Sequence, residues 1–543
     1  MVDSGGAQGN GRGRRGRHIP HRLWIGVTGH RNVADDPALR EQIRRVVDQI
    51  RELMPNSANT ASYLGIISPL AEGADQLVAR EVLSDETAVL ETPLPFAVEE
   101  YLKAFTDEAS LALFLELIKR ASIVTLLPES RSPDAAYAQI GEYVVDHCDV
   151  LIAVWDGEGA RGQGGTAEVV ELARSRGVPL FWIFSKPDYE LQNELGSGPP
   201  RQAFEQVDAY NRARISGTRF NNNAAQQDRR WSQAATFAGL PVHLLRPYLD
   251  WIVPYMIRAD LLAERYQSYY FGIGTALFSL AALAVAAAAV QILAPARLEP
   301  LSLVESFFMI LALGMILLAQ SLRVHDRWIS YRALAERFRL AFFLSVVGVG
   351  AERSTSADPP HRTRPYDWTS RSFNEVWMAR PRNGRPPFSL DALKRFLTEA
   401  WIDDQIDYYR RSATRNHRRE QLLSWMVGGL LACTLMVTGV HGLGPLLHHP
   451  VAGPEWLILL AIVLPAAAAS LGGIQAQHEY ETNAIRFTRM AQRLSVIRRR
   501  MEAAADVATL EAIAESAALA MLEEHRGWFG MMQAHALRLR ELV

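Results

Sequence analysis

The sequence predicts an α/β domain of the Rossmann-like, doubly wound parallel-sheet class. An all-α membrane domain of four transmembrane helices, arranged as two hairpins, follows it. Three observations carry that prediction. From Arg22 to about Lys186, short apolar runs alternate with stretches of helical periodicity, the pattern of a parallel sheet covered on both faces. Beyond Tyr270, four apolar stretches reach the length of about 20 residues that a bilayer crossing needs. Arginines crowd the same side of all four.

The chain is long enough for several domains. Its first residues are rich in Gly and Arg (Arg12, Arg14, Arg15, Arg17) and lack the apolar core of a signal peptide, so residues 1–21 read as a disordered basic tail. A formal net charge of −2 gives no reason to expect a nucleic-acid partner. The two cysteines, Cys148 and Cys433, lie in different environments and form neither a disulfide framework nor a metal-type spacing. This usage fits a reducing cytoplasm, and no cofactor or metal is expected.

Residues 22–187 form the α/β domain. Its strands are expected at Leu23–Val27, Tyr63–Ile67, Ile123–Leu127, Val150–Trp155 and Leu180–Phe184. Helices are expected at Pro37–Leu53, Ala74–Leu83, Pro95–Leu117, Ala135–Asp146 and Ala167–Arg176. In open sheets of this kind, ligands bind beyond the carboxyl ends of the strands, so the loops there are the informative ones. The first strand runs into Thr28-Gly29-His30-Arg31, where glycine permits close backbone approach and Arg31 offers a forked donor to phosphate. The second leads to Glu72-Gly73-Ala74-Asp75, a turn into a helix whose amides can face an anion. Asp156-Gly157 and then Gly162-Gln163-Gly164-Gly165-Thr166-Ala167-Glu168 follow the strand at Val150–Trp155 and form a possible amide nest. Each turn alone is equally an ordinary structural turn, and Glu72, Asp75 and Glu168 suit a helix's first turn. Together they mark one ligand site. No Gly-Lys-Ser/Thr follows the glycines, so the site is not a P-loop.

Residues 188–268, rich in Asn, Gln and Arg, read as a helical connector. The crossings are expected at 270–294, 301–322, 422–440 and 456–474. Pro465 should kink the last. Residues 269–350 make the first hairpin with its trailing helix, 351–400 a linker, and 401–543 the second hairpin with its helices. Of Lys and Arg, the connectors within the two hairpins carry only Arg297. Arg323–Arg339, Arg410–Arg419 and Arg486–Arg500 flank the other ends, so both termini and the centre are expected in the cytoplasm, under the inner membrane. Tyr331-Arg332-Ala333-Leu334-Ala335-Glu336-Arg337-Phe338 and Phe487-Thr488-Arg489-Met490-Ala491-Gln492-Arg493-Leu494 read as a repeat. Small residues along the first, third and fourth crossings suit close helix packing and a homo-oligomer.

At Gly26–Arg31, Leu70–Gln76 and Gly164–Glu168 the sequence resembles the SLOG superfamily, which relates LOG nucleotide hydrolases, the DNA-processing protein DprA and the TRPM sensor domain. The hairpins resemble SLATT modules, two-transmembrane effector units that accompany SLOG sensors in bacterial conflict systems. The resemblance implies a membrane-anchored sensor-effector, possessing a nucleotide or nucleotide-derived ligand and a pore-forming role. Its ligand contacts would be Thr28, Gly29, His30, Arg31, Glu72, Gly73, Asp75, Gly164, Gly165, Thr166 and Glu168. The alternative is a LOG-like nucleotide N-glycosidase tethered to the membrane, with Glu168 catalytic. Against it, the motif lacks the leading Pro and a clear catalytic Arg. A transporter is disfavoured because Glu305 is the one ionisable residue within the four stretches. A plain tether would need only one helix.

Overall fold

The computed structural model describes residues 18–159, 164–194, 201–293, 301–349, 368–381, 387–446 and 455–541. The basic tail before His18, Gly162 and Gln163, Arg297 and residues 351–367 and 382–386 of the expected linker lie outside the described residues. The chain divides into two compact units. The first comprises residues 1–217, 247–255 and 344–386, and the second comprises 218–246, 256–343 and 387–543.

In the first unit the elements run β1 (His21–Gly29), α1 (Pro37–Leu53), β2 (Ser62–Ile67), α2 (Ala74–Val82), β3 (Val89–Leu94), α3 (Val98–Tyr101), α4 (Glu108–Arg120), β4 (Ile123–Leu126), α5 (Pro133–His147), β5 (Val150–Trp155), α6 (Thr166–Arg176), β6 (Leu180–Phe184), β7 (Leu191–Glu194) and α7 (Arg201–Arg212). The seven strands are ordered β4-β3-β2-β1-β5-β6-β7, all parallel except β7. The chain therefore winds outward from β1 on one side and restarts at β5 on the other. The break between β1 and β5 is the topological switch point, the position at which open sheets of this class bind ligands. One face of the sheet packs Leu39, Ile43, Val46, Leu77, Phe114 and their neighbours, and the other packs Ile140, Val144, Val169 and Val170. Helix starts follow their caps: Asp36 accepts from the Ala38 amide before α1, and Ser132 accepts from the Ala135 amide before α5.

Two strands escape the sequence pattern. β3 (Val-Leu-Glu-Thr-Pro-Leu) carries a carboxylate, a hydroxyl and a proline, yet Glu91 is buried and accepts a 2.5 Å bond from the Tyr143 hydroxyl. β7 is a polar edge strand of four residues. The single helix expected over Pro95–Leu117 is corrected. α3 ends in a 3-10 turn at Leu102–Ala104, Phe105 is extended, and Asp107 restarts the chain as the cap of α4 by accepting from the Ser110 amide.

The rest is helical: α8 (Gly217–Ala238), α9 (Val242–Leu293), α10 (Leu301–Ser321), α11 (Val324–Val347), α12 (Trp368–Met378), α13 (Leu390–Leu397), α14 (Asp404–Leu446), α15 (Glu455–His478), α16 (Tyr480–Ala503) and α17 (Val507–Glu541). Four of these helical stretches are long and apolar enough to cross a membrane: Val242–Gln291, Ser302–Ser321, Leu390–Gly442 and Trp456–Ala503. α15 stays helical through Pro465.

Both hairpins leave their second apolar helix by one device. A single left-handed residue, Arg323 (φ 47°) or Glu479 (φ 48°), turns the chain into α11 or α16. Tyr331 and Phe487 lie equally far past those residues. Leu334, Ala335 and Phe338 face inward on α11, as Met490, Ala491 and Leu494 do on α16. The sequence repeat is thus a repeat of backbone breaks and of buried faces. In the second unit Trp231 stacks on Phe342 at 4.0 Å, and Phe343 stacks on Trp401 at 5.0 Å. Trp401 sits in a π-helical turn, Thr398–Asp403, that joins α13 to α14.

Candidate functional site

The site is built around the carboxyl ends of β1 and β5. Thr28 and Gly29 pair with Ala153 and Val154, so the two strands end side by side. The His30 amide donates to the Val154 carbonyl (3.1 Å), holding the first turn against β5. His30 Nε2 then lies 2.9 Å from Asp156 Oδ1, a bond across the switch point. The Asp156 amide is also 3.3 Å from Nε2. The carboxylate contact needs a proton on Nε2 and the amide contact needs a lone pair there, so the two are alternatives set by the imidazole tautomer.

The second turn locks into the first. The Ala74 amide donates to the His30 carbonyl (3.2 Å). Gly73 has φ +80°, and a Cβ there would lie 2.7 Å from the His30 carbonyl oxygen, with the Arg31 carbonyl closer still. Gly29 is equally confined, with the Val154 oxygen 2.8 Å from where a Cβ would stand. These glycines are there because backbone approaches backbone.

The third turn joins through α5. Gly164 (φ +79°) packs on the backbone at Tyr137–Ala138, a Cβ falling 2.6 Å from the Ala138 nitrogen. The Arg31 guanidinium lies 5.1 Å from the centre of the Tyr137 ring. Burial works against its charge, but the hydrogen bond with Tyr137 and the nearby Asp75 raise its affinity for the proton. Gly165 and Thr166 begin α6, and Gly165 makes no side-chain cap. The Glu168 and Val169 amides close onto the Gly165 carbonyl, while those of Thr166 and Ala167 stand at the open first turn.

The acids divide by role. Asp75 is 6% exposed. Burial pushes its carboxyl up to about 7, despite a hydrogen bond from the Ala71 amide and the charge of Arg31. Glu72 belongs to the scaffold: it accepts from the amides of Thr106 (2.5 Å) and Asp107 (3.0 Å). Partial burial opposes its ionisation, but those amides and the Thr106 hydroxyl outweigh it and hold the carboxyl below its ordinary range. Glu168 is exposed and folds back to accept from the Gly164 amide at 2.8 Å. That bond takes one amide out of the expected nest.

Thr28, Gly29, His30, Arg31, Gly73 and Asp75 therefore stand together, with Gly164, Gly165 and Thr166 tied to them through Tyr137. Glu72 and Glu168 brace the loops. Two residues are additions to the sequence-derived set. Asp156 had a signal, an Asp directly after an apolar strand. Tyr137 had none, since it stands in an unremarkable Ala-rich helix. Among the described residues no group of three His, Cys, Asp or Glu side chains could hold a metal ion.

The opposite ends of the same strands carry a second polar cluster. Arg22 on β1 forms a fork with Glu375 of α12 (2.8 and 3.0 Å) and donates to the Leu64 carbonyl. Arg371 of α12 bonds both oxygens of Asp149 (2.6 and 2.7 Å), which also accepts from the Trp24 amide. The Trp251 indole donates to the Val376 carbonyl (2.9 Å). Between these pairs His21 is buried and its imidazole is depressed to about 4. Burial is the main cause; Asp149 opposes it, and the charges of Arg371 and Arg22 add to it.

No curated protein matches the chain. Residues 398–528, from the π-turn through α14, α15 and α16 into α17, match the family model described as SMODS and SLOG-associating 2TM effector domain 1. The second apolar hairpin and its trailing helices are thus similar to a two-transmembrane effector domain.

Proposed function

We propose that the protein is a membrane-anchored sensor-effector of a bacterial conflict system. The α/β unit takes a nucleotide or nucleotide-derived molecule at the β1/β5 mouth, and its occupancy controls the apolar hairpins. One observation supports this above the rest: a side-chain contact, His30–Asp156, bridges the switch point beside Arg31 and an open helix N-terminus. In this reading the Thr166 and Ala167 amides and Arg31 hold phosphate. Asp156 accepts from ribose hydroxyls. Asp75, carrying its proton near neutral pH, donates to the base or sugar. The similarity of residues 398–528 to a 2TM effector domain supports the output half. The arginine-rich flanks support both termini lying in the cytoplasm, and the hairpins act as a homo-oligomer in the inner membrane.

The engagement of Glu168 with its own Gly164 amide favours binding over hydrolysis, since a glycosidase acid must face the sugar. The test is dye release from liposomes holding the full chain. Release is expected with one class among mono-, di- and cyclic nucleotides and none without it. Release indifferent to every nucleotide would refute control by the α/β unit.

A further inference from the structure

The arginines beside the apolar helices fall into two groups. Several are neutralised within the protein: Arg332 and Arg339 by Glu336 and Asp260, Arg486 by Glu524, Arg493 by Glu523 and Arg498 by Asp403. On α14 the pattern is different. Arg410, Arg411, Arg415, Arg418 and Arg419 are all exposed. Among the described residues none of them has a carboxylate within ion-pair distance. Arg411 reaches only the Asp407 carbonyl (3.1 Å) and Arg415 only the Ser412 hydroxyl (3.1 Å). Glu420, the nearest acid toward the apolar stretch, accepts instead from Ser424 at 2.8 Å.

Arginines at i and i+4 on one helix repel each other, so an unneutralised run implies an anion from outside. The run's position identifies the source. Arg411, Arg415 and Arg418 share a face with Leu422, Trp425 and Met426 at helical spacing. Leu422 is 61% exposed and Trp425 81% exposed. Along one stripe the side chains pass from the arginines through Leu422 to the Trp425 indole and Met426, so charge gives way to apolar surface as it does in a membrane from headgroup to core.

We propose that this stripe of α14 is a binding surface for anionic phospholipid, with Arg411, Arg415, Arg418 and Arg419 paired to headgroup phosphates and Trp425 at the interface. A free phosphate would satisfy the charge but has no use for the contiguous Leu422 and Trp425.

Native mass spectrometry of the full chain from mixed micelles tests this, with phosphatidylglycerol and phosphatidylcholine as the two probes. A basic side chain near an anionic surface contributes about fivefold in affinity. R411Q/R418Q should therefore lower the ratio of retained phosphatidylglycerol to phosphatidylcholine by about tenfold or more. R411K/R418K, which keeps charge and insertion, should stay within about threefold of wild type. R493Q/R498Q, altering arginines already neutralised, should leave the ratio unchanged. An equal loss in the lysine and glutamine variants, or an unchanged ratio in R411Q/R418Q, would overturn the proposal. So would retention abolished by millimolar inorganic phosphate, which would mark a free-anion site.

Discussion

Two buried groups in the α/β unit titrate in opposite senses, which gives a pH signature of known sign. Burial raises the Asp75 carboxyl from 3.8 to about 7, so the folded unit holds its proton more tightly than the unfolded chain does. Its contribution to stability is complete below pH 4 and is lost as pH rises through 7. Burial lowers the His21 imidazole from 6.5 to about 4, so its contribution is complete above pH 6.5 and is lost as pH falls through 4. At about 1.4 kcal/mol per pH unit the two slopes oppose and nearly cancel between pH 4 and 6.5. In the wild type these two contributions should cancel there. Asp75→Asn removes one arm, and the stability of the unit should then climb by about 3 kcal/mol from pH 4 to 6.5. His21→Asn removes the other and should leave a fall of about 4 kcal/mol from pH 4 to 7. Hydrogen exchange of the Ile25 and Ile152 amides in the full chain, corrected for intrinsic rate, reads the opening free energy of β1 and β5. A flat profile in both variants would refute the burial argument, and a falling profile in Asp75→Asn would refute its sign.

Two other expectations follow from single contacts. Glu375→Gln leaves the buried Arg22 guanidinium without its counter-charge and should cost about 3–5 kcal/mol, whereas Arg22→Met with Glu375→Leu should recover most of that, read by thermal unfolding. Gly73→Ala forces a side chain onto the His30 and Arg31 carbonyls at φ +80°. It should cost about 1–3 kcal/mol and deprotect the His30–Arg31 turn to hydrogen exchange.

Much of this architecture is legible in the sequence because its causes are local. An uncharged run such as Leu422–Val440 has few other uses, and the apolar strands at β1 and β5 end where a glycine or an Asp begins. β3 was hidden because Glu91 and Pro93 break the apolar pattern, and only the fold supplies Tyr143 to satisfy the carboxylate. The Pro95–Leu117 helix was overextended because its apolar spacing continues across a break made by Asp107. The glycine turns could be placed at strand ends but not assigned partners. That Glu72 caps the loop before α4, and that Glu168 takes its own turn's amide, depends on side-chain direction. The pairing of Arg22 with Glu375 spans most of the chain and leaves no trace in periodicity.

The proposed function requires that the β1/β5 mouth bind a phosphate-bearing nucleotide. Isothermal calorimetry of the full chain in nanodiscs, titrated with mono-, di- and cyclic nucleotides, tests it most directly. At least one nucleotide should bind with measurable heat, and Asp156→Asn and Arg31→Gln should each weaken it by about tenfold or more. No heat from any of them, or an affinity untouched by both substitutions, would contradict it.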